Sequence, residues 1–342
     1  MAYYKHRTIS FDNCYVKDGF TIAGPKESDG CLRGHFDVQL KDDMMGEDTF
    51  EHAERKMFET AIEGIAAKSN LCFDEVNLVL GGDLLNQTVS TSFAMRKHPV
   101  AFLGLYNACA TFVEGLIIGS TMVQSYLKNV ICLAGSHFST AERQYRYPLE
   151  LGVLRSPVTQ WTATGVGSCM LTNDCTQSNV KIVRATIGRV VDYGIMDVNN
   201  MGAAMAPAAK DTLIAHFRAT GTHPSDYDLI LTGDLGKLGK QILVELMAKE
   251  GYDLSNNCAD CGASLYFEEQ QTYQGGSGAA CSALVFSGIV LSNLKKGKIK
   301  RMLLVGTGAL MSPTTSFQGD SIPAIAHLVE ICSTQEVCDD IS

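Results

Sequence analysis

Two stretches of the chain carry the same hydrophobic and polar pattern. Val76–Gln87, VNLVLGGDLLNQ, is an apolar run that stops at Gly-Asp-Leu. Tyr227–Gly239, YDLILTGDLGKLG, does the same. A short apolar run closed by Gly and Asp predicts a buried strand entering a turn. A second matched pair follows. Asn107–Gly119, NACATFVEGLIIG, reads as a helix and leads to the strand-like Lys128–Thr140, KNVICLAGSHFST. Gly278–Val290, GAACSALVFSGIV, leads in the same way to Lys298–Pro313, KIKRMLLVGTGALMSP. Each half thus reads strand, Gly-rich turn, Ala-rich helix, charged loop, strand. Strands alternating with helices predict parallel sheets covered by helices. The repeated order predicts an internal duplication of an α/β unit. The expected halves are 1–176 and 177–342, the first carrying a polar insertion at about 138–165. That insertion lies in Ser139–Leu171, STAERQYRYPLELGVLRSPVTQWTATGVGSCML, and its Tyr, Trp and Pro content argues for an ordered segment.

Composition narrows the class. The chain has 342 residues, 46% hydrophobic and 19% charged, with net charge -9. That is globular composition with ample length for a large core. No apolar run reaches the ~20 residues of a membrane helix, and the N-terminal residues lack the apolar region of a signal peptide. An acidic chain without a basic cluster gives no footprint for nucleic acid. Its longest basic run, Lys295–Arg301, reads as a solvated helix end. The 12 cysteines are scattered, which favours reduced thiols. Cys258 and Cys261 have C-x-x-C spacing, but no second ligand pair completes a zinc site.

Candidate chemistry centres on Cys109, just before a predicted helix. A thiol there gains from the helix dipole and free N–H groups, and anions bind at the same place. The plainer reading is a small residue packed in a core. Asp83 and Asp234 close the matched strands. They offer oxygen ligands to calcium or serve as turn residues. Asn86 joins Asp83 as a polar wall. His137 is a pocket donor or a satisfied core histidine. Arg143 and Arg146 suit bidentate pairing with carboxylates, or salt bridges with Glu142 and Glu150. Tyr145, Tyr147 and Trp161 are candidates to stack on a ring, and Arg189 is a weaker cation candidate.

A duplicated α/β chain with a cysteine opening a buried helix follows the thiolase pattern. The strings AGPKESDG, GGDLLNQ, FSTAERQYRYP, TATGVGS, MGAAMAPAA, LILTGDL, DCG, GGSGAACSA and LLVGTGALMSP resemble those of the SpoVAD (stage V sporulation protein AD) family. This is a thiolase-fold family of spore-forming Firmicutes. The resemblance runs from about residue 7 to residue 330. It implies a five-layered αβαβα fold built from two βαβαβαββ halves. It also implies binding of dipicolinic acid (pyridine-2,6-dicarboxylate), free or as its calcium chelate. Action with the membrane subunits of the SpoVA complex follows, with peripheral attachment at the spore inner or forespore membrane through those partners. Calcium would enter only with the ligand, no cofactor is implied, and a homodimer is compatible.

The same resemblance aligns Cys109 with the thiolase nucleophile and Gly276 with the catalytic His or Asn. No His stands near Thr232 and Gly233, and no second Cys near Leu304. A thiolate without acid–base partners is a poor acyl-transfer catalyst, so a non-catalytic binding protein is expected. The alternatives are an acyl-transfer enzyme acting through Cys109 on a thioester, and a structural adaptor with a vestigial pocket.

Overall fold

The computed structural model describes residues 7–145 and 155–334. The strands of the first half are β1 (Thr8–Ser10), β2 (Tyr15–Ala23), β3 (Val38–Gln39), β4 (Leu78–Gly82), β5 (Phe102–Gly104), β6 (Asn129–Ser136), β7 (Trp161–Thr162) and β8 (Gly165–Thr172). Those of the second are β9 (Val180–Thr186), β10 (Leu229–Thr232), β11 (Cys258–Asp260), β12 (Gly276–Ser277), β13 (Arg301–Ala309) and β14 (Ala324–Ser333).

The duplication is visible in strand order. One array runs β5-β4-β6-β8-β2 and the other β11-β10-β13-β14-β9. In both arrays the first two contacts are parallel and the next two antiparallel. The matched apolar runs are β4 and β10. The arrays join at β9, which meets β2 at the pair Tyr15–Lys181 and β1 over Thr8–Ser10. Positions 176 and 177 fall in the connection between β8 and β9. All residues of β4 and β6 are buried. Strands covered on both faces read as unbroken apolar runs rather than alternating ones.

The helices used below are α1 (Phe50–Lys68), α2 (Val89–Ala94), α3 (Thr111–Ser125), α4 (Phe138–Tyr145), α5 (Met201–Thr220), α6 (Gly236–Lys249), α7 (Cys261–Leu265), α8 (Ala279–Val285) and α9 (Pro313–Phe317). Helix α3 touches β4 and β6 on one side and β13 and β14 on the other. Together with α8 it forms the middle layer, where Phe112 and Phe286 pack with centroids 6.0 Å apart. Helix α1 covers the first array from outside, against β2, β6 and β8. Helix α5 covers β13 and β14, and α6 packs on α5 and β11. The layers therefore run helix, sheet, helix, sheet, helix.

Local signals account for these helices. Thr49 caps α1 by accepting the His52 N–H at 3.2 Å. Asn200 caps α5, which stops at Gly221 in the left-handed region at φ +71°. Helix α3 is apolar on most faces because sheets lie on two sides of it. Among the described residues, no helix is long and apolar enough to cross a membrane.

Candidate ligand-binding site

A cavity of about 550 Å³ lies where the two halves meet, and Cys109 is at its floor. The chain reaches Cys109 through a strained turn: Ala108 sits at φ +49°. That conformation costs a non-glycine residue roughly 1–2 kcal/mol, so its surroundings must hold it. Thr111 Oγ1 accepts the Asn107 N–H at 3.1 Å and donates to the Ala108 carbonyl at 2.8 Å. Behind the turn, His327 Nε2 lies 2.8 Å from the Asn107 side-chain amide, and His327 Nδ1 accepts the Gly188 N–H at 3.1 Å. Burial lowers the His327 pKa to about 4, so the ring is a neutral strut. The turn lies directly on β13, where a Cβ at Gly308 would stand 3.1 Å from the Asn107 carbonyl. Glycine there permits the approach.

The walls come from both halves. Leu84 and Asn86 follow β4, and Ala141, Glu142, Gln144 and Tyr145 belong to α4. Ser277 and Gly278 lead into α8, Met201 opens α5, and Ala309–Thr315 close the far side at the end of β13 and the start of α9. One wall is a network of neutral polar groups. The hydroxyls of Tyr106 and Tyr145 lie 2.6 Å apart, Tyr106 also donates to Asn86 Oδ1 at 3.3 Å, and Tyr145 donates to the Leu84 carbonyl. Gln144 accepts the Asn86 N–H at 3.2 Å. Burial pushes the Tyr145 hydroxyl pKa well up, so it stays a donor. Among the described lining residues there is no Lys, Arg or His, and the charged residue is Glu142, which accepts the Thr162 hydroxyl at 2.9 Å.

Asp234 sits beneath the floor, 1% exposed. It accepts the Thr307 hydroxyl at 2.8 Å and the Gly278 N–H at 3.1 Å, and it is hydrogen-bonded to the Cys109 side chain. Burial raises its pKa to about 7 against those donors, and nearby Asp260 pushes the same way. The thiol at the cavity floor therefore has a carboxyl as its partner.

The sequence candidates separate in space. Cys109, Asn86 and Tyr145 meet in the cavity, with Asp234 immediately below. Asp83 turns the other way and accepts the Leu85 N–H at 2.9 Å, the Thr91 N–H at 2.8 Å and the Thr91 hydroxyl at 2.7 Å. It organises the turn into α2. His137 is fully buried outside the cavity, 2.9 Å from the Asp43 carbonyl and against Phe50. Arg143 pairs with Glu51 on the outer face of α4. Arg189 pairs with Asp211 at 2.8 Å, also away from the cavity. Gly276 lies in β12 beside the cavity-lining Ser277, and a Cβ there would face Tyr266, Leu265 and Cys281. Trp161 stacks on Phe138, with centroids 3.8 Å apart. Arg146, Tyr147 and Glu150 lie outside the described residues. Cys258 and Cys261 sit at β11 and the start of α7, and no group of three metal-ligating side chains is assembled among the described residues. Of the basic run, Lys295 pairs with Asp18 and Arg301 with Glu330.

Comparison with known proteins decides the family. Residues 5–332 match the family model for stage V sporulation protein AD (SpoVAD). The chain belongs to the SpoVAD family. Stage V sporulation protein AD of Bacillus subtilis (strain 168) is 40% identical over 314 residues, covering 92% of each chain. Among solved structures, the fold matches OleA of Xanthomonas campestris, with TM-score 0.61 at 13% identity, covering 95% of this chain and 99% of that one. An OleA structure with bound lauric acid and lauroyl-CoA matches with TM-score 0.59 at 13% identity, covering 94% and 99%. The SpoVAD-family chain thus has the thiolase-like α/β fold.

Sequence reasoning missed several parts of this SpoVAD-family site. Tyr106 follows the edge strand β5 with no motif around it. Ala309–Thr315 complete the cavity, and the LLVGTGALMSP string, Leu303–Pro313, ran into this wall without being read as part of a site. The Gly278 N–H to Asp234 depends on a backbone at φ +100°, a conformation essentially reserved for glycine. The run GGSGAAC carried that signal without saying which glycine it concerned.

Proposed function

We propose that this SpoVAD-family protein binds dipicolinic acid, free or as its calcium chelate, in the cavity above Cys109. It does so as a non-catalytic component acting with membrane subunits of the SpoVA complex, in loading the forespore and in release at germination. Attachment to the spore inner or forespore membrane is then peripheral, through those partners. The observation that carries the reading is the cavity's lining: a thiol floor, two tyrosines and a set of neutral amide and hydroxyl groups. A flat aromatic dicarboxylate needs a ring-sized slot and donors for its oxygens. Tyr106, Tyr145, Asn86 and Gln144 supply amide and hydroxyl groups on one wall.

A second reading keeps an observation of its own. Cys109 stands at a helix start, in a cavity, beside a carboxyl whose pKa is near 7. That pair suits thioester exchange: the Cys109 sulfur bonds the acyl carbon as the substrate's C–S bond breaks, and the thiol proton passes through Asp234 to the departing thiolate. Against it, both nearby histidines face elsewhere: His137 toward Asp43 and His327 toward Asn107.

Isothermal titration calorimetry separates the two. Dipicolinate is titrated with and without calcium, with a pyridine monocarboxylate and acetyl-coenzyme A as controls. Selective dipicolinate heat, lost in Asn86→Ala and retained in Arg143→Ala, supports binding. Heat from acetyl-coenzyme A alone, with acylation of Cys109, replaces the proposal with the acyl-transfer reading.

A further inference from the structure

Beneath the cavity floor, Asp234 is held from four directions. The turn ahead of α3 presents Cys109, β13 presents Thr307, the lead into α8 presents the Gly278 N–H, and Gln160 Nε2 donates to the Asp234 carbonyl at 2.6 Å. The titratable groups facing it are the Cys109 thiol from the turn ahead of α3, the Cys281 thiol from α8, Cys261 from α7, and Asp260 at the end of β11. Asp260 is bound by four donors of its own: the Thr232 hydroxyl at 2.6 Å and the N–H groups of Leu235, Gly236 and Ala263 at 2.8, 3.0 and 2.9 Å. Glu142 faces the same cavity from α4. Among the described residues that line the cavity there is no Lys, Arg or His.

An anion seated over Cys109 would stand one side chain away from the Asp234 carboxyl. If that carboxyl is ionised, the two repel in a site shielded from water. Resting on the anion-binding reading above, we infer that Asp234 couples the cavity to protons: an anionic ligand enters together with one proton, which Asp234 carries. Coupling is reciprocal, so the ligand also holds the proton in place. The pKa of about 7 puts this exchange in the neutral range. Anion affinity is then full below that value and falls as pH rises through it, at most roughly tenfold per pH unit. A neutral ligand of the same size feels no such fall.

The deciding experiment compares an anion with its neutral analogue at one atom. Full-length protein is treated with iodoacetate or iodoacetamide between pH 5.5 and 9, and alkylation of Cys109 is followed by peptide mass spectrometry. Both reagents need the same thiolate, so the rate ratio cancels its titration. The expected ratio of iodoacetate to iodoacetamide drops roughly tenfold with a midpoint near Asp234's. It is flat in Asp234→Asn and unchanged in slope in Glu142→Gln. Thr307→Val, which removes one donor to Asp234, moves the midpoint up and serves if Asp234→Asn does not fold. A flat wild-type ratio overturns the inference. So does a slope that disappears with Glu142→Gln, or the absence of alkylation by either reagent. Calorimetry with dipicolinate over the same pH range tests the ligand separately. A falling alkylation ratio without dipicolinate heat at any pH leaves the proton coupling standing and removes dipicolinate as the ligand.

Discussion

Replacing Gly278 with alanine tests the link between backbone and site. Gly278 lies at φ +100°, ψ 165°, a region that alanine occupies at a cost of about 1–3 kcal/mol. A Cβ there would stand 2.8 Å from Ser136 Oγ and 3.1 Å from a Thr162 methyl. Ser136 is not free to move. It donates to the Ala163 carbonyl at 2.8 Å and accepts the Ala280 N–H at 3.2 Å. Losing one of these bonds adds about 1 kcal/mol, giving about 2–4 kcal/mol in all. Gly221→Ala is the matched control. It has φ +71° and nothing within 4 Å of its Cβ, so only the backbone cost of about 1 kcal/mol applies. Chemical denaturation followed by circular dichroism should rank the two variants in that order. Titration with dipicolinate should show weakened binding in Gly278→Ala alone, because the N–H to Asp234 shifts with the turn. Equal stabilities and equal binding would refute the claim that this glycine shapes the cavity.

Further expectations follow from the same geometry. Glu330 is 1% exposed and binds Arg301 at 2.7 Å, Arg184 at 3.1 Å and His216 at 3.4 Å. Its pKa is lowered to about 2, so its contribution is present above its unfolded value and is lost as pH falls from about 4.5 toward 2. Denaturation across that range should show about 3 kcal/mol of pH-dependent stability that Glu330→Gln lacks, and at pH 7 that variant should be about 3–5 kcal/mol less stable because two arginines lose their counter-charge. Tyr145→Phe and Asn86→Ala should each weaken dipicolinate about tenfold or more by calorimetry, while Arg143→Ala, paired outward with Glu51, should leave it within twofold. Trp161→Ala removes the stack on Phe138 and the cation contacts of Lys26 at 4.4 Å and Arg155 at 4.8 Å. A loss of about 2–4 kcal/mol in denaturant is expected.

The repeated Gly-Asp-Leu tripeptides show how far pattern reading reaches. Their apolar approaches marked β4 and β10, and the duplicated order of the sheet was legible from them. The two aspartates then part company. Asp83 finds its donors eight residues on, at Thr91, whereas Asp234 finds Thr307 on a neighbouring strand and Gly278 across the middle layer. Local sequence encodes the turn but not the donors brought up by long-range packing. His137 and Arg143 failed to reach the cavity for a related reason. Arg143 lies beside α4 residues that do, yet successive helical side chains point about 100° apart and Glu51 waits on the outer face, while His137, just ahead of α4, is buried against Asp43 and Phe50. Cys109 was legible because a helix start is a local event.

The seam between the arrays has a mechanical consequence. The two five-strand arrays join where β9 meets β2 at Tyr15–Lys181 and β1 over Thr8–Ser10, while within each array most strands align over longer stretches. A shift of one array against the other is resisted by that short seam and by α3, which packs on both sheets. The cavity floor, with Cys109 ahead of α3 and Asp234 after β10 beneath it, spans the same junction. A small shift at this junction would reach the thiol and its carboxyl partner together.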